Sequence, residues 1–496
     1  MRLNRIAILL CCSLAPEIVP AQGNDSFEEF RRQKREALQN YRNRKRAEFE
    51  AFRAQKNKEF AEYLARSWSS YQLRKGFDIT KSPDPVKPTV HPVAPPDQLP
   101  PPAKLPIKQI KDYPSKAPDR PADIPLPDPE PGPGIPTRAF TFFGTQFKIH
   151  AGPGKGSILK GHSERDVSEA WILLSGPDYD PLLVDCQDIA QKLALNDWGL
   201  FKLTEKLAHA MTQASNDAYL MQAYLMAQFG YDVRLCRIGR SQLGLLVPIK
   251  QTVCGVSYYN FNGTPFYIFG PYGQETQVES YGKPHGNATR LLDLNMRETP
   301  TLTYQPSESK SFSTPDHGGM TCQINVNRNL MDYYAEIPQV NDWGYYASQP
   351  MDPRLVRQLY PTLRRAIEGK TQAEAAGMLL NFVQKAFAYL TDQQQFGQEK
   401  YNFGEENFYY KACDCEDRSI LYFHLVRDLL QLDAVLLHYP NHLATAVRFP
   451  STVKGDHVMV GGQAYTVCDP TYIGSDIGMC MPQFKTSPVE IIKIME

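Results

Sequence analysis

The sequence predicts an α+β protein. A helix bearing a cysteine packs on antiparallel strands bearing a histidine and an aspartate, and a long basic helix and a proline-rich linker come first. Three observations predict this. Of the 40 prolines in the 496 residues, nearly half cluster between Ser82 and Pro136. Apolar and aromatic pairs recur every eleven residues, at Phe27/Phe30, Leu38/Tyr41, Phe49/Phe52 and Phe60/Tyr63. The stretch from Lys411 to Tyr472 reads helix, strand, strand, strand, with Cys415, His442 and Asp469 each at the end of an element.

Residues 1–21 read as a signal peptide. Arg2 and Arg5 supply the positive start, and Ile6 to Leu14 is apolar but too short to span a bilayer. Cleavage at the small residues Val19 and Ala21 leaves no expected transmembrane segment in the mature chain. Cys11 and Cys12 each lack the small preceding residue that lipidation wants. The chain is therefore expected to be exported: periplasmic, cell-surface or secreted. Eight cysteines then remain, and their spacing shows no dense disulfide framework. Formal net charge is zero, which gives no reason to expect nucleic acid as a partner.

Residues 22–76 read as one basic helix, free of proline and bounded by Gly23 and Gly76. A repeat of eleven residues is three turns of about 3.67 residues, so the apolar stripe runs nearly straight. The stripe is too narrow to bury itself, so it is expected to pack on the globular part of the chain, associate with another copy, or dock on an acidic envelope surface. Residues 77–137 form the proline-rich linker, expected to be extended and unable to build a core. A spacer is the plain reading of its PxxP sequences.

Residues 138–345 turn globular. FTFFGTQFKI alternates as a strand, helical spacing follows at Val167–Leu174, Ile189–Leu195 and Leu203–Met211, and a helix from Tyr219 ends at Gly230. VRLCRI, LGLLVPI and PFYIF read as strands, with Asn262-Gly263 as a hairpin turn. Residues 346–496 carry the chemistry. Cys415 stands before the helical run Ile420 to Leu429, where a helix dipole and free N–H groups favour a thiolate. Strand Ala434–His438 leads through Pro440-Asn441 to His442, and a Gly461-Gly462 hairpin leads to the strand ending at Asp469-Pro470. A thiol, an imidazole that takes its proton and a carboxylate that fixes the imidazole tautomer suit nucleophilic acyl transfer.

These pieces resemble the transglutaminase-like superfamily, whose core is papain-like and which includes bacterial cysteine peptidases. The matching residues are DCED around Cys415, NHLATAV around His442, CDPTY around Asp469 and the preceding MLLNFVQKAFAYLTD, within about the last 125 residues. The resemblance implies a Cys415–His442–Asp469 triad acting on a protein or peptide substrate. No cofactor is expected and no metal, since no D-x-D-x-D-G loop is present. Gln393, Gln394, Gln395 and Gln398 are candidates for a second oxyanion donor beside the Cys415 N–H. His438 and His457 compete for the base role, helix capping is the default for Glu416 and Asp417, and the spacing of Cys413, Cys415, Cys468 and Cys480 fits no usual zinc pattern.

Residues 214–272 follow the plan of 415–472. The nucleophile position falls near Ala214 to Asn216, the base near Ser241 and the acid near Gly270. Either the core is duplicated with a silent first copy, or a common pattern recurs by chance. The functions in competition are a peptidase or isopeptidase, a transglutaminase cross-linking enzyme, a cell-wall peptide amidase, and a non-catalytic scaffold of the same fold.

Overall fold

The computed structural model describes residues 24–78, 101–114, 136–150, 152, 157–271, 277–286, 288–314 and 319–495. The expected signal peptide and most of the proline-rich stretch lie outside the described residues. The chain divides into two units, Met1–Gln55 and Lys56–Glu496. Among the described residues no helix is long and apolar enough to cross a membrane.

In the first unit the chain is helical from Asn24, the start of α1 (Asn24–Leu64). Phe27, Phe30, Leu38, Tyr41 and Phe52 are exposed. Arg31 lies over the Phe27 ring and Lys34 over Phe30. Turn-to-turn pairs such as Arg32 with Glu29 and Arg46 with Glu50 support the helix.

In the second unit α1 ends at Leu64, earlier than the expected 76. Trp68 to Gln72 instead form β1 (Trp68–Gln72), because pairing with a later strand outweighs helical propensity there. The linker range also contains structure: β2 (Ile107–Pro114) is a strand, and Leu105 and Tyr113 are buried. This corrects the expectation that residues 77–137 contribute nothing to a core.

A hairpin, β3 (Thr137–Phe142) and β4 (Thr145–His150), replaces the single strand expected from FTFFGTQFKI. Its turn at Phe143-Gly144 has positive φ at both residues, 38° and 71°. Helices α2 (Glu164–Leu174), α3 (Asp180–Lys192), α4 (Asp197–Met211) and α5 (Ser215–Gln228) follow. Then come β5 (Arg234–Ile238), β6 (Gln242–Pro248), β7 (Tyr258–Phe261), β8 (Thr264–Phe269) and β9 (Gln277–Tyr281). A small hairpin, β10 (Lys310–Ser313) and β11 (Thr321–Ile324), leads to α6 (Arg328–Ala335), α7 (Trp343–Ser348), α8 (Pro353–Ile367) and α9 (Gln372–Ala386). The short α10 (Asp392–Gln395) and α11 (Glu406–Tyr409) precede α12 (Cys415–Leu430). The chain ends with β12 (Asp433–Tyr439), β13 (His442–Arg448), β14 (His457–Val460), β15 (Gln463–Cys468) and β16 (Val489–Met495). The expected domain boundary at 345 falls inside α7, and one apolar cluster contains residues from both sides of it.

The fold is mixed α+β with curled, largely antiparallel sheets. One six-stranded sheet has the order β1-β9-β5-β6-β8-β7; the other, read from its opposite edge, has the order β2-β16-β12-β13-β15-β14. The two orders run alike except at the first strand, where β1 is antiparallel to β9 and β2 is parallel to β16. Each begins with a strand drawn from the N-terminal arm, and each has a helix pair, α4 with α5 or α9 with α12, packed alongside. Each sheet also curls until its edges meet. Arg74, just past β1, exchanges backbone hydrogen bonds of 2.7 and 3.0 Å with Tyr258 of β7. Ala103 and Leu105, just before β2, do the same with His457 of β14, at 3.0 and 2.8 Å. Leu73 and Leu105 from these two straps enter the separate apolar clusters of the two sheets.

Candidate active site

Three elements converge on the site. Cys415 is the first residue of α12, His442 the first of β13, and Asp469 the residue after β15. A two-residue turn, Pro440-Asn441, pairs Tyr439 opposite His442 and so fixes where the imidazole begins the strand. Ser419 on the second turn of α12 donates to the Leu443 carbonyl at 2.8 Å, tying helix to strand. Arg418, fully buried, donates to the carbonyls of Gln384 at 3.3 Å and Phe387 at 2.8 Å, anchoring α12 to the end of α9.

Asp469 Oδ2 lies 2.8 Å from His442 Nε2. A carboxylate accepts, so Nε2 carries the hydrogen and Nδ1 holds the lone pair. Nδ1 is buried without a hydrogen-bond partner. The other Asp469 oxygen accepts from the amides of Thr471 at 2.9 Å and Tyr472 at 3.2 Å, which holds the carboxylate in place. Phe484 stacks on the His442 ring at 5.0 Å and 10°, and on Tyr439 at 4.6 Å. The backbone N–H of Leu443, the residue after the histidine, donates to the Cys415 sulfur. All three side chains are nearly closed to solvent, with relative exposures of 3% for Cys415, 3% for His442 and 2% for Asp469.

The thiol hydrogen goes to a neighbour that the sequence reading assigned to helix capping. Cys415 Sγ donates to Glu416 Oε2 at 2.9 Å. Burial first, then the charges of Glu416 and Asp414, hold the thiol well above its ordinary range, and the Leu443 N–H only partly opposes them. The expectation of a thiolate favoured by the helix end is therefore corrected: desolvation and two adjacent carboxylates outweigh the dipole. Asp417 does serve the helix entry, accepting from Asn402 at 3.1 and 2.8 Å and from the Asp414 N–H at 3.4 Å.

The competing histidines have other neighbours. His438 lies against Trp343 at 4.2 Å, and His457 Nδ1 is 3.1 Å from the Gly455 carbonyl at the start of β14. Among the glutamines, Gln395 clamps both backbone groups of Ala412, at 3.0 and 2.9 Å, and Gln394 caps α10 with Thr391. Gln393 and Gln398 are exposed. The Glu416 contact and the Phe484 stack were not foreseen. Glu416 had a signal in its adjacency to Cys415; Phe484 arrives from a single 3-10 turn, Pro482–Phe484, with no periodicity to mark it.

The first half has the same frame and other residues. α5 begins at Ser215, β6 at Gln242, and Gly270 follows β8. Asn216 fills the junction: its Nδ2 donates to the Ser241 carbonyl at 2.7 Å and its Oδ1 accepts from the Leu243 N–H at 2.9 Å. Leu243 thus gives an asparagine the hydrogen bond that Leu443 gives the thiol. A Cβ on Gly270 would lie 2.9 Å from the Gly244 Cα, leaving no room for an acid there. Comparison with protein-family models, with curated proteins and with solved structures yields no match for this chain.

Proposed function

We propose that this protein is an exported cysteine acyl-transfer enzyme with a transglutaminase-like, papain-like core, acting as a peptidase or isopeptidase. The observation that carries the reading is the 2.8 Å contact of Asp469 with His442 Nε2. It leaves Nδ1 as the only basic ring nitrogen, one residue from the amide that meets the Cys415 sulfur. In the reaction the Cys415 proton moves to Nδ1 and the thiolate attacks an amide carbonyl carbon. The Cys415 N–H at the helix start stabilises the oxyanion, the imidazolium protonates the leaving amine, and water then cleaves the thioester. An amine in place of water would make the same acyl-enzyme a cross-linker, and a peptide stem as substrate would make it a cell-wall amidase. The matching strand orders and the residues Ser215, Gln242 and Gly270 support an internal duplication with a silent first copy.

A second reading, a non-catalytic scaffold of the envelope, is favoured by one observation: the thiol is buried and its hydrogen points to Glu416 Oε2, 2.9 Å away. Alkylation of Cys415, followed peptide by peptide against pH in wild type, His442→Ala and Asp469→Asn, separates the two. The enzyme reading expects labelling at least about tenfold faster in wild type than in His442→Ala, the order of a general-base contribution. Labelling no faster than in a denatured control and indifferent to His442 would leave the scaffold.

A further inference from the structure

The exposed face of α1 carries its chemistry in a repeat of eleven residues. Phe27, Phe30 and Lys34 recur as Leu38, Tyr41 and Lys45, then as Phe49, Phe52 and Lys56. Arg31, Arg42 and Arg53 keep the same step. Eleven residues in three turns make the stripe run nearly straight, for about 38 Å from Phe27 to Phe52. In the fourth repeat the stripe is a contact face: Phe60 is buried against Trp171 and Tyr281. In the earlier repeats Phe27, Phe30, Leu38, Tyr41 and Phe52 stay 51–54% exposed.

Charge is sorted around the same helix. From Phe30 to Ala47 the chain has eight basic residues and one acidic residue. At about 100° per residue, Arg31, Lys34, Arg42 and Lys45 fall within roughly 70° of the centre line of the stripe. Glu29, Glu36 and Glu50 fall roughly 150° or more away from it. Glu48 is the exception, and Lys45 holds it at 2.7 Å. Arg31 and Lys34 lie over the Phe27 and Phe30 rings, 4.6 and 4.8 Å from their centres. The face that carries the rings is therefore the cationic face.

We propose that α1, from Phe27 to Phe52, lies on the surface of a lipid bilayer rich in anionic phospholipid. The rings sit at the level of the headgroups, and the flanking cations reach the phosphates on their flexible stems. A straight stripe can touch a plane along its whole length. A second copy facing the stripe would set Lys34 and Lys45 against the same cations, and like charges across an interface oppose association. An acidic protein surface would answer the charges, but rings spread evenly over about 38 Å suit a plane rather than a pocket. The stripe is narrow, so binding needs both the rings and the cations and is reversible. The proposal goes beyond acyl transfer and holds whether or not Cys415 reacts.

The test mixes the full mature chain with vesicles of phosphatidylcholine alone, or of phosphatidylcholine with an equal part of phosphatidylglycerol. The bound fraction is read by flotation. Wild type is expected to partition at least about tenfold more strongly to the anionic vesicles at low salt, and to lose that preference in about 1 M NaCl. Lys34→Glu with Arg42→Glu, and separately Phe30→Ala with Tyr41→Ala, should each weaken binding at least about tenfold. Both pairs should leave Tm unchanged, because all four positions are exposed and Glu and Ala are good helix formers. That second readout separates a lost surface from a lost fold. Asn40→Ala, on the far side of the helix, should bind as wild type. Wild type that floats equally with both vesicles, or with neither, overturns the proposal, as do paired variants that bind as wild type. A dimer at micromolar concentration that Phe30→Ala with Tyr41→Ala dissociates would give the stripe to a second copy and overturn it as well.

Discussion

Asp469 has two tasks at once, holding its own turn through Oδ1 and the imidazole through Oδ2. Asp469→Asn keeps an oxygen for the turn and offers Nδ2 as a donor to the imidazole. The histidine must then accept at Nε2 and carry its hydrogen on Nδ1, the wrong tautomer for a base. Labelling of Cys415 in Asp469→Asn should fall to the level of His442→Ala, while stability to urea changes by less than about 1 kcal/mol. Glu405 is a buried acid of another kind. It accepts from the Asp352 N–H and the Tyr334 hydroxyl, and burial, first among the causes, raises its pKa from the ordinary 4.5 to about 8. Folding therefore keeps the proton that the unfolded chain releases between those values. The stability from neutral Glu405 is full below about pH 4.5 and is lost as pH rises toward 8. Glu405→Gln should remove that loss, so its urea midpoint should exceed that of wild type progressively over this window. Equal pH slopes in the two proteins would contradict it.

The straps matter most at the scale of the element. Leu105 stands at the point where one segment meets both edges of the second sheet, and its side chain is 1% exposed inside that sheet's cluster. Ile110, on the strand that follows, is 47% exposed. Leu105→Ala should cost about 2–5 kcal/mol and Ile110→Ala under about 1 kcal/mol, measured by denaturant unfolding. Equal costs would mean that the arm lies on the sheet without closing it. In the first half, Gly270 has φ of 143° and a backbone neighbour where its Cβ would stand. Gly270→Asp should destabilise by about 1–3 kcal/mol through strain and overpacking, whereas a half able to regain an acid would accept it.

For the whole molecule, the N-terminal arm serves both halves in turn: β1 completes the first sheet and β2 the second. Residues ahead of both halves are thus structural parts of each, and a cut at residue 138 would open both sheets. The last turns of α1 belong to the same body. Phe60 meets Trp171 at 4.9 Å, His285 at 5.1 Å and Tyr281 at 5.6 Å, and Asn57 accepts from Trp171 Nε1 and Gln228 Nε2. Phe60→Ala should cost about 3–5 kcal/mol in the unfolding of the globular body.

Local pattern was enough for the helices and hairpins of the chain. The run after Cys415, the alternation after His442 and the Gly461-Gly462 turn each signal their element, because periodicity and turn chemistry act over a few residues. The helix-then-strands pattern of both 214–272 and 415–472 was legible for the same reason. Tertiary structure decided what depends on distant partners. Trp68–Gln72 left the helix because β9 offered a ladder, and the proline-rich arm became strand where two sheet edges needed one. Order along the chain named Cys415, His442 and Asp469. Only packing revealed that the thiol hydrogen goes to Glu416, since burial and the approach of charges are sums over the whole fold, which no window of sequence contains.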